Sequence, residues 1–153
     1  MTARSERGMA LLVSLVFLLL LTLIGISSMQ NATLQEKMAG SVILRNQSFQ
    51  LAEAALRIGE SAVQQNTYSL SVCAGARCAP PAESSVVAAS GLNSSSGVNW
   101  IAAGDGFYGV QNIGTTMTAV NVPGNTCATL YRVTAVGRVG NSRSVLESIY
   151  AKY

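Results

Sequence analysis

The chain has 153 residues, room for one modest domain, and is 49% hydrophobic but only 11% charged, against roughly 25% charged in an ordinary soluble domain. It contains no histidine and a single aspartate, Asp105, which excludes His-based triads, histidine general bases and His-ligated metals. The net charge of +3 comes without a Lys/Arg cluster of the kind that grips a phosphate backbone, so nucleic acid is not expected as the main partner. Four of the glutamates, Glu6, Glu36, Glu53 and Glu60, lie in one N-terminal helical region rather than converging on a pocket. Neither an enzyme nor a cofactor is expected.

Residues 1–8 are short and charged and end in Gly8; the run from Met9 to Ile26 is almost wholly apolar, and no charge occurs between Arg7 and Glu36. Three readings compete for this start. A cleaved secretory signal would have a shorter apolar core, although Gly25-Ile26-Ser27 is a passable cleavage signature. A single-span anchor needs about 20 apolar residues, which 9–28 supplies. A prepilin-type signal has a very short hydrophilic leader ending in glycine, followed at once by an apolar helix that is retained. The third accounts for more, because good helix formers continue through residues 32–39 and the first proline is Pro80.

From Arg45 the pattern becomes amphipathic. Phe49, Ala52, Leu56, Gly59 and Val63 recur at alternating spacings of three and four, with Asn46, Gln50, Glu53, Arg57, Glu60 and Gln64 opposite. Glu53 and Arg57 stand four apart in the favourable order. The reading is a helix over 9–66 that starts in lipid (9–28) and ends in a globular core (45–66), with Gly25 and Gly40 as its weak points.

Residues 67–153 read as a small loop-rich α+β head outside the cytoplasm. Residues 67–100 are expected to be irregular, with Pro80-Pro81 and a loop at 93–97. Trp100-Ile101 and the stretch 107–110 are candidate short strands flanking Gly104-Asp105-Gly106. That tripeptide is read as a turn, since a calcium site wants several carboxylates. Leu130–Val139 and Ser144–Lys152 alternate about Gly140-Asn141-Ser142-Arg143 and predict a β-hairpin. Cys73, Cys78 and Cys127 are too few for a four-thiolate zinc site, and no metal is expected. In an oxidising compartment they give one disulfide and one leftover thiol. Cys73 and Cys78 can close on themselves with Gly75 between them, while Cys127 could take either partner.

The start at 7–13 (Arg-Gly-Met-Ala-Leu-Leu-Val), the block 35–41 (Gln-Glu-Lys-Met-Ala-Gly-Ser) and the block 49–60 (Phe-Gln-Leu-Ala-Glu-Ala-Ala-Leu-Arg-Ile-Gly-Glu) resemble PilX-type minor pilins of type IV pili. The tail at 131–137 with its hairpin is similar to the end of that family. The resemblance covers residues 4–60 well, 130–152 more weakly, and nothing between 67 and 125. It implies a pilin-like α+β fold, a leader at 1–8 cut by prepilin peptidase between Gly8 and Met9, and N-methylation of Met9. It further implies a single-pass inner-membrane protein with a periplasmic head that moves to the pilus on the cell surface. Its partners would be other minor pilins, the major pilin, the inner-membrane assembly machinery and, before assembly, the lipid bilayer. Most pilins carry glutamate at the fifth mature position, which here is Val13. The departure points to a subunit that primes or supports assembly at or near the tip. Alternatives with the same architecture are a pseudopilin of a type II secretion system and a tip-displayed adhesin; an unrelated single-span protein is a fourth reading.

Overall fold

The computed structural model describes the backbone of residues 5–120 and 122–153; the first half of the expected leader lies outside the described residues. The chain divides into two compact units, Met1–Val42 and Ile43–Tyr153. A single α-helix, α1 (Ser5–Gln64), supplies the described part of the first unit and the opening segment of the second. It runs unbroken through Gly25 and Gly40. Glycine there costs about 0.5–1 kcal/mol relative to alanine but removes no backbone hydrogen bond. The helix stops two residues before the expected 66. Past its end, the Lys152 ammonium donates to the carbonyls of Gln65 (2.6 Å) and Tyr68 (3.0 Å), placing a cation where a helix C-terminus favours one.

The second unit is an antiparallel meander of β1 (Gly91–Leu92), β2 (Asn99–Ala103), β3 (Gly106–Thr116), β4 (Ala128–Val139) and β5 (Ser142–Lys152), in spatial order β1-β2-β3-β4-β5. The expected hairpin is present but closes more tightly than its sequence pattern indicated, on Gly140-Asn141 alone, with Val139 facing Ser142. The β2–β3 turn is built alike on Gly104-Asp105, with Ala103 facing Gly106. Each turn opens on a glycine of positive φ (+55° at Gly140, +60° at Gly104), and the residue after it keeps a negative φ. That is the type II′ pattern, whose twist matches the strands. The second candidate strand is also much longer than 107–110. β3 continues past a bulge between Asn112 and Gly114, where the Asn112 carboxamide oxygen accepts from the Gly114 N–H at 2.9 Å.

Both faces of the central strands are covered. On one face α1 packs Ala55 and Val63 against Tyr108, Val110, Tyr131, Val133 and Ala135. On the other, Val98, Trp100 and Val136 form a second small core with Val87 and Phe107. The helical strip that meets the sheet differs from the expected one. Ser48, Ala52, Ala55, Gly59 and Val63 are buried, whereas Phe49 is 48% exposed and Leu56 only half-buried. The cause is the closeness of the backbones. A β-carbon on Gly137 would strike the Ser48 carbonyl and the Ala52 nitrogen, and one on Gly106 would lie 2.9 Å from the Val136 carbonyl oxygen and 3.1 Å from the Ala55 methyl. Only small helical residues fit such an approach, so the large apolar Phe49 is turned outward. The Ser48 hydroxyl meets the hydroxyls of Ser144 (2.8 Å) and Ser142 (3.1 Å), which satisfies the one polar group in that part of the strip.

Gly137→Ala should therefore lower stability by about 2–3 kcal/mol through overpacking. Gly124→Ala, at a position with open space around it, should leave it unchanged. Urea unfolding midpoints of the two variants check this; equal midpoints would contradict a backbone-to-backbone contact.

Candidate functional site

The first unit presents an apolar surface with nothing against it. Met9, Leu11, Leu12, Phe17, Leu18, Leu21 and Ile24 are each at least 62% exposed. An 18-residue window of this helix has a mean hydropathy of 2.9 with none of it buried, long and apolar enough to cross a membrane. Four of its hydroxyls have partners within the helix itself. Ser14 donates to the Leu11 carbonyl, Thr22 to that of Leu19, Thr33 to that of Gln30 and Ser41 to that of Met38, all at 2.8–2.9 Å. Backbone and hydroxyl groups paired in this way suit surroundings without hydrogen-bonding solvent. Gly8, where the apolar run begins, has open space where a β-carbon would stand. Val13 lies on the helix surface, 50% exposed, with Val16 and Phe17 a turn further along it.

The second unit holds the cysteines. Cys73 and Cys78 are joined in a disulfide with 5.2 Å between their Cα atoms, and Cys127 is a free, exposed thiol. The disulfide loop is fastened to the sheet by polar side chains. The Cys73 N–H donates to the Asn112 carbonyl (2.8 Å), and the Asn112 amide donates to the Leu70 carbonyl (2.7 Å). The Gln111 amide reaches the carbonyls of Arg77 (2.6 Å) and Ala79 (3.1 Å). The Arg132 guanidinium donates to the Cys78 carbonyl (2.6 Å) and pairs with Glu147 (3.0 Å). Further along, Arg143 donates to the carbonyls of Ser84 and Val87, while Glu83 accepts from the Trp100 indole (3.3 Å) and from Ser96. The segment expected to be irregular thus forms a layer over the sheet. Sequence reasoning passed over these pinning residues. The signal was available in Gln111-Asn112, two amides inside an apolar strand, which are buried in the structure and therefore need partners. Tyr68, stacked edge-on against Tyr131 at 5.7 Å, has its phenol pushed up to about 12 by burial and by Tyr108 and Tyr131. Asp105 sits at the tip of its turn. No group of three or more His, Cys, Asp or Glu poised for a metal occurs among the described residues.

A family model described as PilX N-terminal matches residues 7–57. Over this third of its length the chain is similar to the N-terminal segment of PilX-type pilins. The match begins one residue before Gly8, covers the whole apolar run, and ends inside the strip that packs on the sheet, two residues before Gly59. It therefore joins the exposed apolar helix and the buried small-residue strip in one motif. The arrangement of one long N-terminal helix followed by a small antiparallel sheet is the pilin-like α+β fold. The matched segment contains the stretch that is long and apolar enough to cross a membrane. No curated protein and no solved structure matches the chain.

Cys73→Ser with Cys78→Ser should lower stability by about 2 kcal/mol, the loop-entropy value for so short a ring, and Cys127→Ser should leave it unchanged. Non-reducing peptide mapping of protein recovered from the cell envelope should find a Cys73–Cys78 peptide; one containing Cys127 would refute the pairing.

Proposed function

We propose that this pilin is a minor subunit that primes or supports assembly of the type IV pilus, acting at or near the tip within a complex of minor pilins. The observation that carries the reading is the neutral, surface-placed Val13 within an otherwise PilX-type apolar helix. A carboxylate in lipid costs a few kcal/mol, and in pilins that hold one at this position it offsets the charged N-terminus of an adjoining subunit. A subunit without it has less to gain from repeated addition along a shaft. The apolar surface serves two settings in turn, burying itself in the inner-membrane bilayer before assembly and among neighbouring helices afterwards. Small residues at Ala10, Ser14, Gly25 and Ser28 permit close helix approach. In this reading residues 1–8 are the leader, 9–66 the helix and 67–153 a head that is periplasmic before assembly and extracellular after it. The chain works as a structural assembly subunit rather than an enzyme, with prepilin peptidase, the inner-membrane assembly machinery, other minor pilins and the major pilin as partners.

Prepilin peptidase cuts between Gly8 and Met9, and Met9 is then N-methylated. Intact-mass analysis of the mature protein should show loss of residues 1–8 and one added methyl group; a mature N-terminus at Ser28, or a retained Met1, would sink the prepilin reading. Gly8→Leu should leave an uncut, membrane-held precursor.

Deleting the gene should reduce the number of surface filaments far more than the length of those that remain, and immunogold label should sit at filament ends. Dense, even label along the shaft would reject the tip role while leaving the pilin assignment in place. Val13→Glu should incorporate poorly or shift label into the shaft, since it adds a charge that lipid tolerates only with a partner amine.

A further inference from the structure

The two edges of the sheet are finished differently. On one side β1 is two residues long. Beyond β2 the edge of β3 is taken up by the loop layer, where Val72 bridges Asn112 and the Cys73 N–H donates to the Asn112 carbonyl. On the other side β5 lies outermost, pairs with β4 without a break from Ser142 to Lys152, and meets no other strand among the described residues. Its hairpin closes on two residues, so Val139 and Ser142 exchange bonds and every second residue of β5 then bonds to β4. The N–H and C=O groups of Arg143, Val145, Glu147, Ile149 and Ala151 therefore point away from the sheet.

Long edges are commonly guarded by outward charges, prolines or bulges. β5 has neither proline nor bulge, and its three charges are turned back onto the head. Arg143 donates to the Ser84 and Val87 carbonyls, Glu147 pairs with Arg132, and Lys152 donates to the Gln65 and Tyr68 carbonyls. The strand shows solvent Val145 and Ile149 instead, 41% and 50% exposed. On the flank of α1 beside it, Phe49 lines a groove of about 330 Å³ with Ser144, Val145 and Leu146. Three turns on, Glu60 accepts from the Ser148 hydroxyl at 2.6 Å and pairs with no cation among the described residues.

We propose that β5 accepts an extended segment of a partner protein as an added antiparallel strand, with a basic residue facing Ser148 and apolar residues facing Leu146 and Ser144. The N–H of Ser148 is committed to β4, so the residue opposite it on the new side falls in a non-hydrogen-bonded pair, where side chains come closest. A lysine or arginine there reaches Glu60. The apolar residues that follow on the same face cover Phe49, and those of the other face cover Val145 and Ile149. A second copy of this chain meets the demand poorly. Its own β5, laid antiparallel, brings Lys152 opposite Ser148 only in a register that pairs residues 147–153, and that ammonium is already held by two carbonyls.

The test uses the full chain in maltoside micelles and a capped, fluorescein-labelled octapeptide, Thr-Val-Lys-Thr-Leu-Val-Val-Thr, whose lysine faces Ser148 when the preceding valine faces Ile149. Anisotropy gives its Kd. At about ten times that concentration, residue-resolved hydrogen exchange of the outward amides between 143 and 151 should slow by about tenfold. The same peptide with glutamate for lysine should bind about fivefold more weakly, and Glu60→Gln should erase that difference. Ile149→Pro, which removes an outward N–H and no bond to β4, should weaken both peptides; the Glu60→Gln comparison stands whether or not that variant folds. Unchanged exchange at the outward amides, equal binding of the two peptides to the wild-type chain, or undiminished binding to folded Ile149→Pro overturns the proposal. So does exchange that slows with protein concentration before peptide is added, which would give the edge to a second copy.

Discussion

The packing of α1 against the glycines of β3 and β4 is the constraint on which the rest of the head depends. Gly137 and Gly106 let the sheet backbone come against the helix backbone at Ser48, Leu51 and Ala52. So close an approach leaves no layer of large side chains between them. The core on that face is correspondingly built of alanine, valine and tyrosine, and Gly59 gives way in the same manner to Val133 and Tyr108, 2.7 and 2.9 Å from where its β-carbon would stand. A helix seated this closely cannot roll without driving backbone into backbone, so its outward face is fixed too. Phe49 and Ile58 are exposed for that reason rather than for want of hydrophobicity.

The same helix answers two unlike demands along its length, and its composition changes where the demand changes. Before residue 43 the apolar side chains occur on every face and are exposed, which no soluble domain tolerates over such a stretch. From Ser48 onward only a narrow strip is buried, and charged residues such as Arg57 return. The second pattern folds the head; the first has to be covered by something outside the chain. Lipid and neighbouring helices are both able to cover it, because the hydroxyls of Ser14, Thr22, Thr33 and Ser41 are already paired within the helix. A chain with a carboxylate in this stretch would favour one setting over the other.

The elements that rest on local signals were legible in the sequence. The long helix followed from the apolar run, the absence of proline and the amphipathic repeat, and the β4–β5 hairpin from alternation around Gly140. The buried strip was displaced by one residue at Phe49 and again at Leu56, because periodicity ranks residues by hydrophobicity and the structure selected them by size. Ser48 and Ala55 win over Phe49 and Leu56 for a reason that lies in Gly106 and Gly137, more than fifty residues away in sequence. The layer at 70–98 was opaque for a similar cause. Its backbone carbonyls are held by side chains of Gln111, Asn112, Arg132 and Arg143, partners 32 to 59 residues distant, and no local pattern encodes such pairings.

That manner of fastening explains why a head with so few charges uses them as it does. Arg132, Arg143 and Lys152 each direct donors to main-chain carbonyls, groups that would otherwise be desolvated without a partner beneath the loops. An apolar loop could cover the sheet through hydrophobic burial, but the Ser-, Ala- and Gly-rich segment over 67–97 has little area to bury. Its attachment therefore combines a small core at Val87, Val98 and Trp100 with charge-assisted hydrogen bonds, which are roughly twice as strong as neutral ones, and with a disulfide that shortens the segment's freedom at Cys73–Cys78. The loop layer is consequently set by directional bonds rather than by packing. Substitutions among its own small side chains are then expected to matter less than substitutions at the four sheet residues that hold it down.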